Sequence, residues 1–210
     1  MLVPSQSNIQ TSRNIYEELE GWKQARRLII SYFQSHPSND DELTVTIKTL
    51  LINGLYYTNI RAPLRVANHI VGLKNVNQEL QAGVMTAVDR IARFDKFNLI
   101  SFASKYAHFN NENVYPLYDQ YVWKSLAYCW QEKRYQLIDY ISFYNIMDSF
   151  RKLANLSNVS WADMDKYLWL LGLKKELDNR NTKISKEVSN YYLTPRGRAL
   201  FESLEPRSMS

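Results

Sequence analysis

Apolar residues recur at three- and four-residue steps along most of the chain, the period of amphipathic helices. Ile15, Leu19, Trp22, Ala25, Leu28, Ile29, Tyr32 and Phe33 predict one helix over residues 14–36. Pro37 and the polar SNDD behind it predict a loop, with Asp40 or Asp41 able to cap a helix over residues 42–60. The LTVTIKTLLI run in that segment is β-branched enough for a strand, but the apolar pattern continues too far for one and favours helix. Pro63 interrupts the pattern and LRVANHIVGL resumes it. Leu80, Val84, Ala87, Val88 and Ile91 share a face of a single helix over residues 77–94. Further helices are predicted over residues 97–109, 117–130 and 135–155, and another starts after Ser160, an N-cap with Asp163 three positions on. DKYLWLLG is expected in a core helix with Gly172 near its C-cap. Residues 178–190 read as a polar loop, and Thr194 with Pro195 opens a short last helix.

No stretch alternates with period two, so the pattern predicts an all-α fold of eight to ten helices. Its organisation is expected to be a compact multi-helix domain over residues 1–180, as one body or as two lobes at about 14–100 and 101–180. A polar loop and the short C-terminal helix complete residues 181–210.

Composition narrows the class. With 6 glycines and 6 prolines in 210 residues, turns are too sparse for a β architecture. Cys129 is the one cysteine, which excludes an internal disulfide framework and fits a reducing, cytoplasmic compartment. The N-terminal MLVPSQSNIQTSRN lacks the basic flank and apolar core of a signal peptide, and no apolar run approaches a membrane span. A net charge of +5 is compatible with an anionic partner. The three histidines, His36, His69 and His108, have no metal-ligand spacing, so no metal is expected. GxSxG, P-loop and GxGxxG motifs are absent, and no cofactor is expected.

Two groups of residues could carry chemistry. Lys105 sits among Ser101, Phe102, Tyr106 and Phe109, an apolar setting that favours a deprotonated, nucleophilic amine. Asp119 follows Pro116 at the start of a helical pattern, where a carboxylate can stabilise developing positive charge. The plainer alternative is that Asp119 caps QYVWKSL and Lys105 lies on a helix edge. In LLINGLYYTNIRAPLRVANHIV, Asn53, Tyr56, Tyr57 and Asn59 bring amides and phenols within a turn or two of one another. Such groups can read or stack on a base, or satisfy backbone freed ahead of Pro63. Arg61 and Arg65 stand one turn apart, a step that can follow phosphates.

The block ASKYAHFNNENVYPLYDQYV resembles the helix-hairpin-helix base-excision DNA glycosylases, and most closely the small bacterial 8-oxoguanine-glycosylase-like proteins. LLINGLYYTNIRAPLRVANHI, with Asn53 and Thr58 in its polar slots, and DKYLWLLG are similar to other segments of that superfamily. The resemblance spans roughly residues 50–173, although FDKFNLISFAS contains no glycine where the superfamily's DNA-binding hairpin is glycine-rich. It implies a helix-hairpin-helix element, Asp119 as catalytic carboxylate and Lys105 as Schiff-base nucleophile. It also implies duplex DNA with a flipped base as partner. Asn53, Tyr56, Tyr57, Asn59, His108, Phe109 and Tyr118 would line the base pocket, and Arg61 and Arg65 would meet phosphates. The alternative expectation is a non-catalytic helical module that binds nucleic acid or protein, for instance in phage defence. A helical protein that holds a small molecule in the same aromatic pocket is a third.

Overall fold

The computed structural model describes residues 1–131, 139–179 and 184–208. Among them the chain is all-α, with twelve helices and four two-residue strands. In chain order these are β1 (Leu2–Val3), α1 (Gln6–Glu17), α2 (Glu20–Ser35), α3 (Glu42–Leu55), α4 (Pro63–Val71), α5 (Val76–Ala82) and α6 (Met85–Ala92). There follow β2 (Arg93–Phe94), β3 (Phe97–Asn98), α7 (Ile100–Asn110), α8 (Gln120–Trp130), α9 (Tyr140–Leu153), α10 (Trp161–Asp178), α11 (Lys186–Tyr192), α12 (Pro195–Glu202) and β4 (Arg207–Ser208). Among the described residues no helix is long and apolar enough to cross a membrane.

The chain divides into two compact units. The first takes Met1–Gln24 and Asn145–Ser210, with Asp119 opening its middle segment; the second takes Ala25–Tyr118 and Leu137–Tyr144. In the first unit α10 is the central element and packs on α1, α8 and α12. Gly172 lies in the middle of α10, not at its C-cap, because the helix must pass close to α8. A Cβ there would sit 2.6 Å from the Tyr121 carbonyl oxygen and 2.9 Å from Ser125 Oγ. In this unit β1 and β4 meet in an antiparallel pair, Leu2 opposite Ser208 and Val3 opposite Arg207. Beside them Lys174 is buried, its ammonium 2.7 Å from Asp178 and 2.9 Å from Glu205.

The second unit is built around α7, which packs on α3, α5 and α6. Residues 102–109 are all buried, so this helix shows no solvent face. Phe33 and Phe102 meet Tyr106 ring to ring, and Phe33 also meets Phe109.

Four predicted helices differ in extent, each for a local reason. The 14–36 segment is two helices, starting earlier, at Gln6. The apolar period runs on unbroken through fully buried Leu19, but α1 closes with tight i−3 hydrogen bonds from Glu18 and Leu19. The freed Gly21 N–H of α2 is met by Glu187, far away in sequence, at 2.8 Å. The 42–60 helix stops at Leu55, before the left-handed residues Tyr57 and Asn59. The 77–94 helix is broken by Gly83, whose φ of 79° ends α5, and the Val84 N–H reaches back to the Glu79 carbonyl. Residues 97 and 98 pair with β2 before α7 begins. Ser160 and Thr194 cap α10 and α12 as expected. Residues 186–190, expected in a loop, belong to α11. The start of the 135–155 helix and positions 180–183 of the polar loop lie outside the described residues.

Two glycines test this reading of helix packing. Gly172→Ala is expected to destabilise by about 1–3 kcal/mol through overpacking against α8, despite alanine's higher helix propensity. Gly54→Ala in α3, where an added Cβ meets nothing within 4 Å, is expected to stabilise by about 0.5–1 kcal/mol. Urea midpoints of the two variants check both signs; equal shifts would refute the close α8–α10 passage.

Candidate functional site

The loop between α3 and α4 is held by one side chain. Asn53 Oδ1 accepts from the Ile60 N–H at 2.8 Å and from the Thr58 hydroxyl at 3.0 Å, while Nδ2 donates to the Ile60 carbonyl at 3.1 Å. The amide thus pairs with Ile60 as a backbone peptide would. It supports the left-handed conformations of Tyr57 (φ 50°), costly for a bulky side chain, and Asn59 (φ 57°), which an asparagine tolerates better. Pro63 then fixes the first turn of α4.

A pocket of about 600 Å³ opens on this loop, lined by Asn53, Gly54, Tyr57, Asn59, Ile60 and Arg61. Four sequence candidates, Asn53, Tyr57, Asn59 and Arg61, are therefore gathered at one cavity. Tyr57 is 70% exposed. Tyr56 turns to Phe109 instead, with ring centroids 5.4 Å apart and edge-on. Arg65 lies at the β2–β3 hairpin, 2.8 Å from Asp95 and with its guanidinium 5.4 Å from the Phe94 ring.

The remaining candidates of this unit lie along α7. Ser101, Ser104, Lys105 and His108 form a polar stripe at i, i+3, i+4 and i+7 on an otherwise apolar helix. Its partners are the backbone of residues 115–118. Lys105 Nζ donates to the Tyr118 carbonyl at 3.0 Å, to Ser101 Oγ at 2.9 Å and to the Ser101 carbonyl at 3.3 Å. Ser104 Oγ accepts from the Tyr118 N–H at 3.0 Å. His108 Nδ1 lies 2.8 Å from the Tyr115 carbonyl, which can only accept, so Nδ1 carries the proton. Nε2 then accepts from the Arg26 guanidinium, 3.3 Å from both terminal nitrogens. Arg26 is held in turn by Glu112 at 2.6 Å. Burial, the Arg26 charge and the Lys105 charge together push the imidazole down to about 3, so it is neutral at ordinary pH. The Tyr118 ring meets Phe143 edge-on at 5.2 Å.

Asp119 opens the other unit's middle segment and is the N-cap of α8. Its Oδ1 accepts from the Tyr121 N–H at 2.6 Å. Lys105 is 3% exposed.

One buried cluster carried no sequence signal. Lys48 is fully buried, and its amine donates to the Ser38 carbonyl and to Asn39 Oδ1, both at 2.9 Å, over the Phe33 ring. Burial lowers it to about 8. Asn39 Oδ1 also accepts from the Tyr106 hydroxyl at 2.6 Å, and Nδ2 donates to Asn77 and Asn110. Among the described residues no group of three or more His, Cys, Asp or Glu side chains could hold a metal ion.

An all-helical chain with these features belongs to the HI_0787_N family, whose model, an N-terminal domain, matches residues 8–114. The match takes in the pocket loop and the whole of α7, and it ends before Asp119. A protein of Haemophilus influenzae described as uncharacterized is 34% identical over 131 residues, covering 57% of this chain. The aligned region spans 62% of that relative's length. No solved structure matches the chain.

Removing the loop staple by Asn53→Ala is expected to cost about 1–3 kcal/mol, since it leaves partly buried Ile60 backbone groups unpaired. Tyr57→Ala, at a side chain 70% exposed, is expected to cost less than Asn53→Ala, which thermal melts of the two variants check. His108 sets a pH dependence. Its folded value lies below the ordinary 6.5, so between about 6.5 and about 3 the unfolded chain binds the proton and the folded chain does not. Stability is therefore expected to fall as pH falls through that window, and His108→Gln to remove this component. An unaltered acid limb in the variant would refute it.

Proposed function

We propose that this protein binds DNA and recognises or excises a damaged or modified base, as an N-glycosylase of the 8-oxoguanine type. The observation that carries the reading is the open pocket lined by Tyr57, Asn59 and Arg61 on the loop that Asn53 staples. A ring to stack on, an amide to meet a base edge and a cation for phosphate are what an extruded nucleotide requires. The likeness of the ASKYAHFNNENVYPLYDQYV block to base-excision glycosylases supports it independently. In this reading the Lys105 amine exchanges its bonds to Ser101 and Tyr118 for the sugar and attacks C1′. The C1′–N bond breaks and the base leaves with the electron pair and takes up a proton; the likeness of the block assigns the Asp119 carboxylate the stabilising of positive charge on the sugar. The cytoplasm, where DNA lies in a bacterial cell, is the compartment proposed with it.

A specific observation favours a second reading, a non-catalytic nucleic-acid-binding module. Lys105 is buried with hydrogen bonds to Ser101 and Tyr118, and Asp119 caps a helix, which are structural uses of both side chains.

Excision assays on duplexes bearing oxidised, alkylated and deaminated bases separate the two. The enzyme reading expects cleavage by the parent protein. It also expects loss of at least 10²-fold in Asp119→Asn and Lys105→Gln, with melting temperatures close to the parent's. Absence of cleavage on every lesion, with both variants strongly destabilised, leaves the binding module.

A further inference from the structure

We propose that the β2–β3 hairpin, with the segment leading into α4, is a surface for unpaired nucleic-acid strand. Phe97 would stack on a base, and Arg61, Arg93 and Lys96 would meet phosphates. The inference rests on the nucleic-acid-binding reading above and deepens it by naming the strand state and the residues that engage it.

The hairpin is an antiparallel pair, Arg93 opposite Asn98 and Phe94 opposite Phe97, joined by Asp95 and Lys96. Its two phenylalanines have different surroundings. Phe94 is 9% exposed, covered by the Arg65 guanidinium and edge-on to the His69 ring. Phe97 is 56% exposed. Among the described residues its one aromatic-ring contact is with the Lys96 ammonium, so the ring is not held by the packing of this unit.

On the hairpin itself two basic residues, Arg93 and Lys96, stand against one carboxylate, Asp95. Asp95, the hairpin's carboxylate, is neutralised by Arg65 at 2.8 Å. Arg93, Lys96 and Arg61 are exposed, and among the described residues none of the three makes an ion pair. Lys96 Nζ lies 5.8 Å from the Phe97 ring centroid. The acids that feel Arg93, Asp89 and Asp139, are already engaged by the Tyr140 and Ser142 N–H groups. An aromatic face beside unpaired cations matches a strand whose bases are unstacked, because stacking needs a free π-face and phosphates follow at each step. In an intact duplex the base faces are covered, and Phe97 would have no partner. The surface also connects with the pocket. Arg61 lines it, and Arg65, four positions on at the start of α4, holds the hairpin.

Fluorescence anisotropy with a labelled oligo-dT and with a fully paired duplex tests this, using the full chain. Both Phe97→Ser and the double variant Arg93→Gln/Lys96→Gln alter exposed side chains, so they are expected to fold; Leu193→Ser, at another exposed apolar site, is the control. The expectation is tighter binding of oligo-dT than of duplex and about tenfold loss of oligo-dT affinity in Phe97→Ser. The double variant is expected to reduce the slope of log K against log salt by about 1.4 for oligo-dT. Parent-like binding by both variants overturns the hairpin surface, as does equal competition by polyglutamate, which would mark a site for acidic chains in general. Excision serves as the separate readout. Loss of base excision with Phe97-dependent strand binding intact removes the glycosylase reading alone, whereas excision with Phe97-independent binding removes only this inference.

Discussion

The constraint on which the second unit depends is the burial of α7 on every side. A helix without a solvent face must satisfy each of its polar side chains inside the protein, where an unpaired donor or acceptor costs about 1–3 kcal/mol. Ser101, Ser104, Lys105 and His108 meet that demand together, by bonding to one stretch of backbone, residues 115–118, and to one another's turn. The segment after α7 has no ladder of its own, so helix and segment satisfy each other. Tyr140 adds a further bond, from its hydroxyl to the Pro116 carbonyl at 2.6 Å.

His108 shows how far this reaches. Its tautomer follows from the Tyr115 carbonyl, and the lone pair left on Nε2 then accepts from Arg26, which Glu112 also holds. Burial first, and then the facing charges of Arg26 and Lys105, disfavour a protonated imidazole, which is why it stays neutral. The same logic governs the loop on α3. There Asn53 acts as a short piece of strand for Ile60, and the strain of Tyr57 and Asn59 is borne by that pairing. Tyr57, Asn59 and Arg61 come to one pocket through the stapled loop rather than through helix geometry.

Much of the candidate site was legible in the chain. Asn53, Tyr57, Asn59 and Arg61 were singled out by spacing, and they line one cavity because they lie within nine consecutive positions. Spacing offered Asn53 two uses, a base edge or the backbone ahead of Pro63, and which of them it takes was not legible: the amide is engaged by Ile60 and Thr58. Nor was the parting of Tyr56 from Tyr57, adjacent residues that the left-handed turn sends to Phe109 and to solvent respectively. The Lys48–Asn39–Tyr106 cluster had no signal at all, because its members come from a loop, α3 and α7, and only a buried position turns an ordinary lysine and asparagine into a network.

By itself the sequence determined the helical class, the caps at Ser160 and Thr194, and the polar loop ahead of Pro63, because each depends on residues within a turn or two of one another. The tertiary structure alone decided where long apolar runs break. Leu19 continues a helical period that is cut because Glu187 caps a new helix, and Gly172 sits mid-helix because α8 passes too close for a side chain. It also decided that His108 is interior and that the Lys105 amine, expected in an apolar setting, is spent on the Tyr118 carbonyl. A stripe of two serines, a lysine and a histidine has the spacing of a solvated face, and only the backbone of residues 115–118 lying against it makes it part of the core.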